Sequence, residues 1–188
     1  MTTHLSLVDP AEPVVTLEDA KQFLHVWHDD DDALITALIA SATDKLYGAD
    51  GILGRALGRQ KWKLTLDAFP PRCVHLPLPP LHTVDSVSYI SKTGETVTVS
   101  DSDYRYAADG RLFPAQKWPE AIAQPASVEI TFTAGYETVP PSITQALMAL
   151  VFFWYENRGS AAAPTSAVAE MPFGFDDVLT QWKVPSFG

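Results

Sequence analysis

The side chains best suited to chemistry in this 188-residue chain gather at His25 and His28, which are followed directly by Asp29, Asp30, Asp31 and Asp32. Two histidines three apart beside four carboxylates form a donor set from which a divalent metal site can be imagined. A metal-activated water there would make a hydrolase or nuclease. A zinc site, however, usually fixes two ligands on one regular element and takes a third from elsewhere, whereas His28 falls at a break between two helical patterns. The plainer reading is an acidic helix start, which the helix dipole favours. Cys73 and His75 would lie on the same side of a strand, but spacing suggests no third group, and a lone cysteine usually packs as a small hydrophobe. With a single cysteine the chain has neither an intrachain disulfide nor a cysteine-rich zinc site.

Two further groups invite a functional reading. Gly48, Gly51, Gly54 and Gly58 are spaced loosely like a phosphate loop, but they follow a helical pattern rather than a strand, and no Lys-Ser or Lys-Thr comes after them. Arg55, Arg59, Lys61 and Lys63 surround Trp62 and form the one local basic cluster, which strand alternation explains as a solvated face. The net charge of −10 and a pI near 4.7 argue against wrapping DNA by phosphate neutralisation, while suiting a surface that DNA slides past. No Gly-x-Ser-x-Gly elbow or paired-carboxylate motif stands out. Neither catalysis nor a cofactor is expected.

The elements that must carry these residues are legible in the periodicity. Pro140 and Pro141 can open a helix and Gly159, after Arg158, can close it. Every residue between Ala146 and Tyr155 is apolar, so this stretch predicts a buried central helix, too short for the roughly 20 apolar residues of a membrane span. Thr16 with Asp19 reads as a capping box opening a first helix over about 16–26, and Asp29 or Asp30 as the cap of a second over about 30–47. From Gln60 the period changes to two. Strand-like pieces follow at 60–66, 74–76, 84–90, 96–99, 104–107, 111–113 and 127–134, separated by turn material such as Pro70-Pro71 and Asp109-Gly110. Residues 1–15, with Asp9, Pro10 and Pro13, read as a loose arm. The opening MTTHLSLVDPAEP has no basic n-region and no apolar h-region, so no secretory signal is expected and the chain is read as made in the cytoplasm.

The predicted fold class is therefore α+β: a helical core of about three main helices with an inserted small antiparallel β subdomain and a short C-terminal helix or tail. The expected divisions are a helical part over 1–59, a β-rich insertion over 60–135, the central helix over 136–160, and a linker with a docking tail over 161–188. The tail holds Phe173, Phe175, Val178, Leu179, Trp182 and Phe187. Such an aromatic cluster should either fold back on its own core or be kept for a partner, and the linker-like residues 160–167 favour the partner.

Several phrases resemble the head-to-tail connector (adaptor) proteins of long-tailed double-stranded DNA phages and prophages: VTLEDAKQFLHV with DDDDALITALIASAT, then TLDAFP, LPLPPLHTVDSVSYI, FTAGYETVPPSITQAL and WYENRG. They cover residues 14–160 in order. The resemblance implies a structural virion protein at the head-to-tail junction, not an enzyme, forming a ring, dodecameric in such proteins, between the portal and a stopper or tail-completion protein. DNA would be only passing cargo, and no membrane is involved. It implies that Phe173, Phe175, Val178, Leu179, Trp182 and Phe187 dock the portal. Together with charge order, it suggests that Asp29, Asp30, Asp31 and Asp32 on one side of a subunit face Arg55, Arg59, Lys61 and Lys63 on the next. The alternatives are a metal-dependent hydrolase or nuclease of a packaging module, and a bacterial protein-binding module.

Overall fold

The change of period at Gln60 separates two compact units, one of strands and one of helices, in a computed structural model that describes residues 3–11, 13–48, 51–157 and 175–184. The sheet unit comprises Met1–Glu12 and Arg55–Glu137, and the helical unit Pro13–Gly54 and Thr138–Gly188.

In the sheet unit, β1 (Thr3–Asp9), β2 (Gln60–Leu66), β8 (Val128–Ala134), β4 (Leu81–Ile90) and β5 (Thr96–Thr98) form one antiparallel sheet in the order β1-β2-β8-β4-β5. A second sheet pairs β3 (Val74–His75), β7 (Arg111–Pro114) and β6 (Tyr104–Tyr106). Alternation decides which face is buried. Trp62, Leu64 and Leu66 of β2 sit opposite Phe132, Ile130 and Val128 of β8, and all six are buried. Each such side chain contributes about 1.5–3 kcal/mol relative to exposure. Lys61, Lys63 and Thr65 fall on the other face because neighbours in a strand point oppositely. At the end of β8, Gly135 has φ +111°, and a Cβ there would lie 2.0 Å from the carbonyl oxygen of Gly58, so only glycine fits.

The opening residues correct the sequence reading. Residues 3–9 are no loose arm but edge strand β1, whose Leu5 and Leu7 pair with Leu64 and Trp62. The turn-formers only end it, at Asp9 before Pro10. Residues 55–59 likewise belong to the sheet unit and not to a helical part over 1–59, with bridges from Arg55 to Leu78 and from Gly58 to Tyr136.

In the helical unit, α1 (Leu17–Leu24) opens with the capping box foreseen at Thr16. The Asp19 N–H donates to Thr16 Oγ1 (3.1 Å), and the Thr16 N–H donates to Asp19 Oδ2 (3.4 Å). His25 closes it in the left-handed region at φ 56°. Helix α2 (Asp32–Leu46) buries Ile35, Ile39, Ala42 and Leu46 at helical spacing, and α3 (Pro141–Glu156) buries Ile143, Ala146, Leu147, Leu150 and Val151. These two stripes, with Ala20 and Leu24 of α1, make the core of this unit. Helix α3 is not buried all round: Phe152 is 43% exposed. Arg158 and Gly159, read as its end, lie outside the described residues. Helix α4 (Phe175–Trp182) packs on α3.

Candidate interaction surfaces

The acidic turn is tied down from within its own unit. Nζ of Lys21 lies 2.7 Å from Asp29 Oδ1 and 2.6 Å from Asp32 Oδ1. The two carboxylates hold the ammonium above its ordinary range, and the ammonium in turn holds the Asp29 carboxyl below the usual carboxylate range. Asp31, not Asp29 or Asp30, is the N-cap of α2, and its side chain makes no capping bond. Instead the Tyr155 hydroxyl donates to Asp31 Oδ2 at 2.5 Å, fastening the end of α3 to the start of α2. His28 Nδ1 stands 3.7 Å from Asp30. His25 is spent as a helix cap, and among the described residues no group of three or more His, Cys, Asp or Glu side chains is arranged to hold a metal ion. Cys73 and His75 do meet, with Sγ and Nε2 3.4 Å apart.

The basic run is brought together on and beside β2, yet three of its members are already faced by carboxylates of the same unit. Arg59 lies 3.3 Å from Glu137, Lys61 3.4 Å from Asp85 and Lys63 3.7 Å from Glu129. Asp85 is held in turn by the hydroxyls of Thr83 (2.8 Å) and Thr133 (3.1 Å). Arg55 Nη1 donates to the Tyr136 hydroxyl at 3.4 Å. The run thus offers a neighbouring subunit little unbalanced positive charge. Those partners come from β4, β8 and residue 137, which no local pattern reveals.

The tail residues divide. Phe173 and Phe187, with the linker at 160–167, lie outside the described residues. Phe175 is buried, Val178 and Leu179 are half-buried, and the Trp182 indole donates to Ser142 Oγ at 3.0 Å. The Val184 N–H donates to the Leu53 carbonyl at 3.0 Å, just past the helix. This corrects the expectation that the tail is kept for a partner: the described segment folds back on its own unit.

Sequence reasoning missed an aromatic surface on the helical unit. Trp27 is 79% exposed, and Phe23 meets Phe152 edge to face with ring centroids 6.3 Å apart, both rings nearly half exposed. The signal was an indole set directly before the polar run from His28 to Asp32. A second cleft, of about 380 Å³, lies in the sheet unit beside the parallel stack of Phe69 on Trp118, whose centroids are 4.7 Å apart, and is bordered by Pro70, Pro71 and the Lys92–Glu120 ion pair. No helix among the described residues is long and apolar enough to cross a membrane.

Comparison with known proteins gives these surfaces a setting. No curated protein sequence matches the chain. Among solved structures, the fold is similar to a chain in the virion of a native gene transfer agent (GTA) particle, with TM-score 0.72, 23% identity, and 98% of this chain and 97% of that one covered. It is similar to a chain in the neck of the empty GTA particle computed with C6 symmetry, with TM-score 0.73 and 22% identity over 98% of both chains. A third likeness is to a chain in the neck of the native particle computed with C12 symmetry, with TM-score 0.68, 23% identity and the same coverage. The α+β expectation agrees with this shared fold. The sequence profile of the head completion protein family matches residues 13–166. That span includes α1, α2, α3 and the whole run of strands from β2 to β8, and it bears out the connector resemblance read from residues 14–160: the chain belongs to the head completion protein family.

Proposed function

We propose that this head completion protein forms a ring at the head-to-tail junction of a virion or virion-like particle, between the portal and a stopper or tail protein, and extends the passage taken by DNA. One observation carries the reading: the fold matches, over 98% of both chains, proteins in particle necks computed with sixfold and twelvefold symmetry. In a closed ring one side of each copy meets a different side of the next. A charge of −10 per copy supports a passage that repels phosphate, so that DNA moves through without adhering.

Two finer assignments belong to this reading. Portal docking falls to the rim of the apolar face of α4, where Val178 and Leu179, on the same stripe as Phe175 and Trp182, stay half-exposed while Phe175 is buried and Trp182 bonds Ser142 of α3. The basic stripe of β2 sets register between neighbouring copies more than it adds affinity, because its charges are already balanced. Removing the gene from a particle-producing strain tests the reading. DNA-filled heads without attached tails are expected, and tailed particles at the normal yield would overturn it.

A further inference from the structure

Four contacts gather one end of the helical unit. Lys21 of α1 grips Asp29 and Asp32, the Tyr155 hydroxyl of α3 holds Asp31, and the Phe23 ring of α1 meets Phe152 of α3 edge to face. The C-terminal ends of α1 and α3 and the start of α2 therefore meet at one place. Trp27, Phe23, Phe152 and Leu34 are the large apolar side chains that the described part of the helical unit leaves exposed, and all four lie on these helix ends or the turn joining them. The core of the unit is complete without them. The exposed parts of these rings are apolar surface left in water, and Trp and Phe are among the residues enriched where proteins meet.

Charge decides the occupant. The helical unit carries 12 Asp and Glu against 4 Lys and Arg, a net of −8, whereas the sheet unit carries 11 against 9, a net of −2. The Asp29 and Asp30 side chains beside Trp27 are 91% and 96% exposed. Nucleic acid and anionic lipid would be repelled here. A second copy would bring either another strongly acidic helical unit or a sheet unit that is itself net negative, with Lys61, Lys63 and Lys92 already matched. We propose that this aromatic, acid-rimmed end is a docking surface for a different protein, one presenting an apolar side chain set among lysines and arginines. The apolar group would be covered by Trp27 and Phe23. A cation beside it would meet Asp30 and the indole face, with Asp29, which already binds Lys21, at the rim. The proposal rests on the neck reading only for where that protein is found, namely in the assembled particle.

The test places a photoreactive group in the full chain, Trp27→p-benzoylphenylalanine, and irradiates purified particles. A cross-link to a different particle protein, within a few residues of Lys or Arg, is expected. Because the new side chain can itself obstruct docking, Leu34→p-benzoylphenylalanine reads the same patch. The cross-linked segment, made as a synthetic peptide, should bind the purified full chain at least tenfold more weakly after Trp27→Ala, with an unchanged melting temperature, and should lose most of its salt dependence after Asp29→Lys with Asp30→Lys. Cross-links to a second copy, to DNA or to nothing from both positions would overturn the proposal, as would a peptide affinity indifferent to Trp27. Absence of the wild-type chain from particles would instead overturn the neck reading.

Discussion

The indole Nε1 of Trp182 donates to Ser142 Oγ across 3.0 Å, tying α4 to the first turn of α3. With Phe175 buried and the Val184 N–H on the Leu53 carbonyl, the C-terminal helix is part of the helical unit. Losing α4 should therefore destabilise the fold as well as any docking. Trp182→Phe removes one hydrogen bond and should cost about 1 kcal/mol, while Phe175→Ala leaves a cavity and should cost roughly 3–5 kcal/mol. Urea unfolding followed by circular dichroism measures both; a chain ending at residue 157 that melts like the full chain would contradict this placement of α4.

Lys21 links stability to pH at both extremes. The Asp29 carboxyl is held below its ordinary value, so its contribution is present above the unfolded value and is lost as pH falls through the folded one. Lys21 is held above its ordinary value by Asp29 and Asp32, so its contribution is present below the unfolded value and fades as pH rises through the folded one. Thermal melts across the acid and alkaline ranges should show a shallower dependence at both ends for Lys21→Met than for the wild type. Identical profiles would remove this ion cluster from the stability account.

Gly135 adopts φ +111°, and an added Cβ would press on the Gly58 carbonyl oxygen at 2.0 Å. Gly135→Ala combines a left-handed strain of about 1–3 kcal/mol with a backbone clash. The loss should exceed 2 kcal/mol, read from the shift in the denaturation midpoint. A midpoint within 0.5 kcal/mol of wild type would mean that the β8 terminus is not held against residue 58.

Leu150 is fully buried in the central helix. Leu150→Asp places an unpaired charge among apolar side chains and should cost several kcal/mol, most of the stability of a small domain. An unchanged melting temperature would contradict its position.

Local signals read well from the sequence, and long-range ones did not. The Thr16–Asp19 capping box, the alternation of β2 and β8 and the apolar run of α3 were legible because each is decided by residues within a turn or a strand of one another. Strand β1 was hidden because its partner, β2, begins more than fifty residues later, while the nearby prolines argued for a loop. The basic run was legible as charge, but not its neutralisation by Asp85, Glu129 and Glu137, since those pairings exist only after the sheet has formed. For α4, the linker-like composition before it argued for a partner, whereas the bond from Trp182 to Ser142 that holds it on α3 spans forty residues and leaves no local mark. The aromatic end around Trp27 depends on three helix ends meeting, which no one segment encodes.

A ring of this head completion protein in the particle neck would be visible there as density. Cryo-electron microscopy of purified particles, reconstructed at the head-to-tail junction without imposed symmetry, measures this most directly. The account predicts a closed ring of densities, each fitted by one copy with its sheet and helical units resolved, around a passage lined by acidic side chains. Density for the chain elsewhere in the particle, or a neck fully explained by other proteins, would contradict it.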